Sequence, residues 1–127
     1  MNEAEVAAGL ASTPMYRYAQ RAGNELFVAG QVPRNACGEL VAPDDPAAQA
    51  TQCLRNLELL LSVHGFSITD IRQIVVYVVG DRIRLESAWT AVAAWFSEEV
   101  PPATLLGVAC LGYEGQLVEI DARVIKA

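Results

Sequence analysis

The chain has 127 residues, 53% of them hydrophobic and 19% charged, with a formal net charge of -6. That length sustains one core without metal or disulfide staples, so residues 1–127 read as one domain, and the apolar excess points to a homo-oligomer of closed symmetry. Only nine Lys and Arg are present and they are scattered, which excludes a phosphate-neutralising stripe and makes nucleic acid a poor partner.

At the start, "MNEAEVAAGLAST" is acidic with a short apolar patch, which is not the pattern of a signal peptide. No later run is long enough to span a bilayer. Three cysteines at irregular spacing fit a reducing compartment, and a cytoplasmic location is expected. "YRYAQRAGNELFVAGQVP" predicts a strand in which Tyr16, Tyr18 and Gln20 alternate with Arg17, Ala19 and Arg21. A turn at Gly23–Asn24 and a second strand over Glu25 to Ala29 follow. "RNACGELVAPDDP" predicts a loop with a short strand near residues 39–41.

The helix signals come next. Asp44 or Asp45 can cap, Pro46 suits a first turn, and Ala50, Cys53, Leu54, Leu57, Leu60, Leu61 and His64 form one stripe that Gly65 ends. "IRQIVVYVVG" predicts a strand buried on both faces. A second helix over residues 84–98 stacks Leu85, Ala88, Trp89, Val92, Trp95 and Phe96, with Pro101 and Pro102 expected to end it. "PPATLLGVACLGYEGQLVEIDARV" predicts a closing β-hairpin that turns near residues 112–115. The order ββαβαββ implies an α+β fold, one mixed sheet with two helices on one face. The other face is too apolar to stay wet, and other subunits are expected to cover it.

The residue inventory narrows the chemistry. His64 is the sole histidine, and its place at a helix end suits packing or the helix dipole better than catalysis. No serine elbow, metal-ligand spacing or glycine-rich phosphate loop is present. Cys53 and Cys110 are expected in the core, while Cys37 lies in a loop. The carboxylates remain. In "QLVEIDARV", Glu119, Asp121 and Arg123 share one strand face, opposite Val118, Ile120, Ala122 and Val124. A solvated or ion-paired row explains this pattern, and so does an interface cleft in which Glu119 does general acid/base work. Spacing alone leaves both open.

Three stretches together resemble the Rid family, also called RidA/YjgF or endoribonuclease L-PSP. "GNELFVAGQVP" is similar to its G-N-x-(apolar)3-(S/A)-G-Q-(I/V)-P signature. "AAQATQCLRNLELLL…GFSITDIRQIVVYV" resembles its first helix and following strand. "PPATLLGVACL…LVEIDA" resembles its closing P-A-R-(S/T)-x-V-x-V-x-x-L and (I/V)-E-(I/M)-(E/D)-A motifs. The resemblance runs from about Tyr16 to Val124. It implies a chorismate-mutase-like homotrimer with a small-molecule cleft between each pair of subunits, and hydrolysis of reactive enamines or imines without metal or cofactor.

Residue by residue, the resemblance makes Glu119 the catalytic carboxylate, Tyr16 a pocket-lining tyrosine, and Gly30, with Gln31 beside it, the backbone donor turn. Ala29 stands where serine is common, and Leu105 where cysteine is common. Trp89, where a smaller polar residue occurs, could narrow the cleft. The main departure is Ala103 at the place of the carboxylate-clamping arginine, or Thr104 if the register slips by one; neither is a fork of donors. Arg123, Arg17 or Arg21 are the conceivable replacements. Three functions remain: an enamine or imine hydrolase of altered specificity, a non-catalytic metabolite binder, and a structural or chaperone-like trimer. RNA cleavage is disfavoured by the acidic charge and the lone histidine.

Overall fold

The computed structural model describes residues 1–127. Its elements are α1 (Glu3–Ala7), β1 (Ala19–Ala22), β2 (Glu25–Val28), α2 (Pro46–Val63), β3 (Ile71–Val79), α3 (Arg82–Trp95), β4 (Ala103–Val108) and β5 (Val118–Ile125). The five strands form one mixed sheet in the order β1-β2-β5-β3-β4. All neighbours run antiparallel except β3 and β4, which are parallel. This is the expected α+β architecture, with α1 as an additional short helix against α2.

Local chemistry sets the helix ends. The Asp45 carboxylate accepts from Ala48 N at 3.0 Å, leaving Pro46 in the first turn, where its missing N–H is no loss. The same helix ends when Phe66 N donates to Leu61 O and Gly65 N to Ser62 O, with Gly65 at φ +76°. On the stripe between, Ala50, Cys53, Leu54, Leu57, Leu60 and Leu61 are all fully buried. All but Leu60 meet Ile74, Val76 and Val78 of β3 and Val118, Ile120 and Val124 of β5 in one cluster with Ala88 and Val92 of α3, while Leu60 packs with Leu10 and Tyr18. Each large aliphatic side chain so buried contributes about 1.5–3 kcal/mol.

Several expectations need correction. β4 and β5 do not form a hairpin: α3 carries the chain back to the starting end of β3, so β4 pairs parallel to β3 at the sheet edge. β5 enters on the other side of β3 and pairs with β2. Secondly, α3 stops at Trp95, ahead of the prolines. Glu98 N reaches Ala93 O at 2.8 Å and Ser97 N reaches Ala94 O at 3.1 Å, closing the helix through left-handed Ser97 and Glu98. Thirdly, Tyr16 precedes β1, and the segment near residues 39–41 provides only an isolated bridge between Arg34 and Leu40. Cys110, expected in the core, lies exposed beyond the end of β4.

Candidate functional site

Helices cover one sheet face; the other is open. Strand parity therefore decides which side chains can meet a ligand there. Glu119 of β5 lies opposite Tyr77 of β3, and Tyr77 lies opposite Leu106 of β4. Two residues along, Asp121 faces Val75 and Val75 faces Thr104. Glu119, Tyr77, Leu106 and Thr104 thus share the open face. Ala103 and Leu105 point the other way: Leu105 packs on the helix-side core, and a Cβ on Gly107 would meet Leu85 of α3 at 3.6 Å. Hence Thr104, and not Ala103, is the β4 residue near the chain's N-terminal stretch of that strand with access to the site. It stands two strands from β5, roughly 10 Å at ordinary strand spacing.

The Glu119 carboxylate is held on two sides. Oε1 accepts from Nε2 of Gln116 at 3.2 Å, and the same nitrogen donates to Val118 O at 3.0 Å. Oε2 lies against Gly30, where a Cβ would come within 2.9 Å of the carboxyl carbon Cδ. Only a glycine lets the carboxylate rest on that backbone. Gln31 anchors the turn, donating its N–H to Ile120 O at 2.7 Å and accepting from Ile120 N at 3.0 Å, while its buried side chain donates to Ala29 O at 2.8 Å. Ala29 N is spent on Tyr18 O, yet Gly30 N has no acceptor within the chain. The half-buried carboxylate and this unspent N–H sit side by side. Beneath β5, the buried Cys53 thiol is pushed well up, by burial first and by Glu119 second.

Tyr16 completes this end of the site. Its hydroxyl lies 3.4 Å from that of Tyr113, and the Tyr113 N–H donates to Gln116 Oε1 at 3.2 Å. Burial, ahead of the Tyr113 contact, raises the Tyr16 hydroxyl, so it stays protonated. The Arg34 guanidinium lies 4.6 Å over the Tyr113 ring. No three His, Cys, Asp or Glu side chains converge to hold a metal ion, and no helix is long and apolar enough to cross a membrane.

The endoribonuclease L-PSP family model matches residues 7–126 of this chain. The chain belongs to the Rid family. Among relatives, the RutC family protein PH0854 of Pyrococcus horikoshii is 30% identical over 87% of this chain and 86% of its own. The 2-iminobutanoate/2-iminopropanoate deaminase of Escherichia coli is 29% identical over 82% of this chain and 81% of its own. The solved YjgF gene product of Escherichia coli superposes with a TM-score of 0.80 at 29% identity, covering 92% of both chains.

Against that family pattern, the structure gathers Glu119, Gly30 and Tyr16 at one end of the open face, with Thr104 across the sheet on the same side; Ala29 and Gln31 flank Gly30 in the chain, and Gln31, paired with core residue Ile120, keeps its side chain buried. It does not bring Trp89 to them. Trp89 packs with the helix-side core on α3, so the sheet separates it from Glu119, as its helical spacing implies. The three conceivable replacement cations also lie elsewhere. Arg123 Nη2 contacts Glu25 Oε2 at 3.4 Å in an exposed pair. Arg21 lies over Phe66 on the helix side, and Arg17 lines a depression with Glu5 and His64. His64 itself pairs with Glu5 at 2.7 Å, pinning α1 to the end of α2.

Sequence reasoning missed the residues that hold the site. Gln49, fully buried on α2, accepts from Leu117 N at 2.8 Å and so fixes the backbone beside Gln116. Asn56 donates to Val32 O and Arg34 O, both at 2.9 Å, fixing the loop after the Gly30 turn. Gln49 and Asn56 sit with Cys53 and Leu60 at helical spacing. Two amides interrupting an apolar stripe were the available signal.

Proposed function

We propose that this Rid-family chain hydrolyses reactive enamines or imines, with specificity altered by the lack of an arginine on the open face of β4. The observation that carries this reading is the Glu119 carboxylate seated on Gly30 beside an unspent backbone N–H. In this reaction water adds its oxygen to the imine carbon while Glu119 takes its proton. Glu119 returns that proton to the nitrogen, giving a carbinolamine; it then carries the hydroxyl proton to the same nitrogen, the C–N bond breaks as the C=O bond forms, and ammonia leaves behind a carbonyl product. The Gly30 N–H stabilises charge developing on the adding oxygen. The deaminase name of the Escherichia coli relative supports the reaction class.

The site needs walls that one chain does not provide. The depressions on its surface, up to about 600 Å³, are lined by the N-terminal arm, by the end of α2 and by the start of β3, not by Glu119. Phe27 and Leu106, 56% and 43% exposed, lie with Val75 and Tyr77 on the open face. A homotrimer whose sheets face inward would cover them and form the cleft, as in the family pattern. Thr104 in place of a charged fork favours a second reading, a small-metabolite-binding or chaperone-like trimer that has lost turnover.

The test generates 2-imino acids in place with an amino-acid oxidase and follows their decay by trapping. Wild-type protein is expected to speed the decay, and Glu119→Gln to lose at least tenfold of that effect. Equal rates in the two proteins would remove Glu119 from the mechanism. No acceleration by wild type, together with saturable binding of small carbonyl compounds, would favour the binder.

A further inference from the structure

We propose that Arg34, stacked on Tyr113 beside the Tyr16 hydroxyl, anchors the carboxylate of an anionic ligand in this cleft, from a side of Glu119 opposite to that of Thr104. The inference rests on the hydrolase reading only in placing that ligand's reacting carbon at Glu119.

Arg34 is half-buried and has no counter-ion. The chain carries 15 Asp and Glu, yet its three ion pairs join Met1 to Glu3, His64 to Glu5 and Arg123 to Glu25. A partly desolvated guanidinium without an anion is unfavourable unless its partner comes from outside the chain. Its side chain makes one hydrogen bond, Nε to Gly38 O at 3.0 Å, so both terminal amino groups keep their donors. The Tyr113 ring lies against one side of the guanidinium, and the free terminal amino groups can bind a carboxylate with two parallel bonds.

The loop is shaped to present this cation. Asn56 fixes the Arg34 carbonyl, and Arg34 N donates to Val32 O at 2.9 Å. Gly38 has φ +80°, and a Cβ there would fall 2.7 Å from Arg34 Nη2, so the bare backbone at position 38 leaves room for the guanidinium. Of the touching Tyr16 and Tyr113 hydroxyls, one donates to the other, which leaves one O–H proton to offer a ligand. Three contacts link cation to carboxylate: Arg34 lies over the Tyr113 ring, Tyr113 N–H binds Gln116, and Gln116 binds Glu119. This corner lies before the start of β5, whereas Thr104 lies across β3. An anionic imine held here points its charge toward residues 113–116.

The test measures binding of 2-oxobutanoate and of its neutral analogue 2-oxobutanamide by calorimetry, in wild type, Arg34→Gln, Arg34→Lys and Tyr113→Phe. Wild type is expected to prefer the carboxylate by at least tenfold, Arg34→Gln to bring the ratio within twofold of one, and Arg34→Lys to recover part of it. Tyr113→Phe keeps the ring and should lower carboxylate affinity severalfold. Because the ratio is read within each protein, partial loss of folded material does not mimic the effect. An unchanged ratio in Arg34→Gln, no binding of 2-oxobutanoate by wild type, or a variant that falls apart into monomers because Arg34 pairs with a second copy would each overturn the proposal. Imine hydrolysis is scored separately. A carboxylate preference that depends on Arg34 without any turnover keeps the anchor and sinks the hydrolase; turnover that depends on Glu119 and is indifferent to Arg34 does the reverse.

Discussion

A methyl group at position 30 would land on the Glu119 carboxyl. The displaced atoms are the far end of a flexible side chain, so Gly30→Ala should cost little stability while moving the carboxylate by an ångström or more. Misplacement on that scale lowers rates by about 100-fold. The expected outcome is a thermal midpoint within a few degrees of wild type and a kcat for imine hydrolysis reduced at least tenfold. A fall in both together would mean that Gly30 serves the fold and not the geometry of the site. The strand face of Glu119 was legible from its alternation with Val118 and Ile120, while a role for it came only with the family resemblance. Arg34 was not. It lies in a loop without periodicity, and its importance comes from what it stacks on, Tyr113, which is 79 positions away in the chain.

Between elements, the informative strand is β4. Its sequence, Ala-Thr-Leu-Leu-Gly-Val, places apolar residues on both faces, so alternation alone could not say whether position 103 or 104 looks toward Glu119. The pairing of Val75 with Thr104 decides it. Thr104→Arg is therefore expected to add a carboxylate-binding fork on the open face and to tighten 2-oxobutanoate binding about tenfold. Ala103→Arg should leave both binding and stability nearly unchanged, since position 103 is exposed at the start of the edge strand and turned to the other face. Measuring affinity and melting temperature for both variants checks this, and the opposite pattern would reverse the parity. The strand order could have been foreseen in part. A helix of 14 residues between β3 and β4 is long enough for a parallel crossover, and pairing β4 with β3 in that way commits β5 to the other flank. The hairpin expectation gave weight to the turn residues near 112–115 and too little to α3.

For the molecule as a whole, the distribution of apolar surface matters most. Helices satisfy one sheet face, while Phe27 and Leu106 stay exposed on the other, so the sequence-derived expectation that β3 is buried on both faces is met only on the helix side within a single chain. If copies pack there, light scattering should give three times the 13.7 kDa chain mass. Leu106→Lys should shift the protein toward monomer, because each copy gives up about 1.5–3 kcal/mol of burial and gains a charge to desolvate. A wild-type protein that elutes as a monomer would count against both the cleft and the trimer.

The strand order also bears on how the protein is made. β2 and β3 share no hydrogen bonds; each pairs with β5, the last of the five strands to leave the ribosome. Until that strand arrives, the nascent chain holds a β1–β2 ribbon and a β3–β4 pair with bare edges facing one another, and folding has to wait for the segment that also carries Glu119. Assembly of the sheet and delivery of the Glu119 carboxylate are then a single event, so a polypeptide halted before β5 would lack both and would expose two adhesive strand edges to quality control.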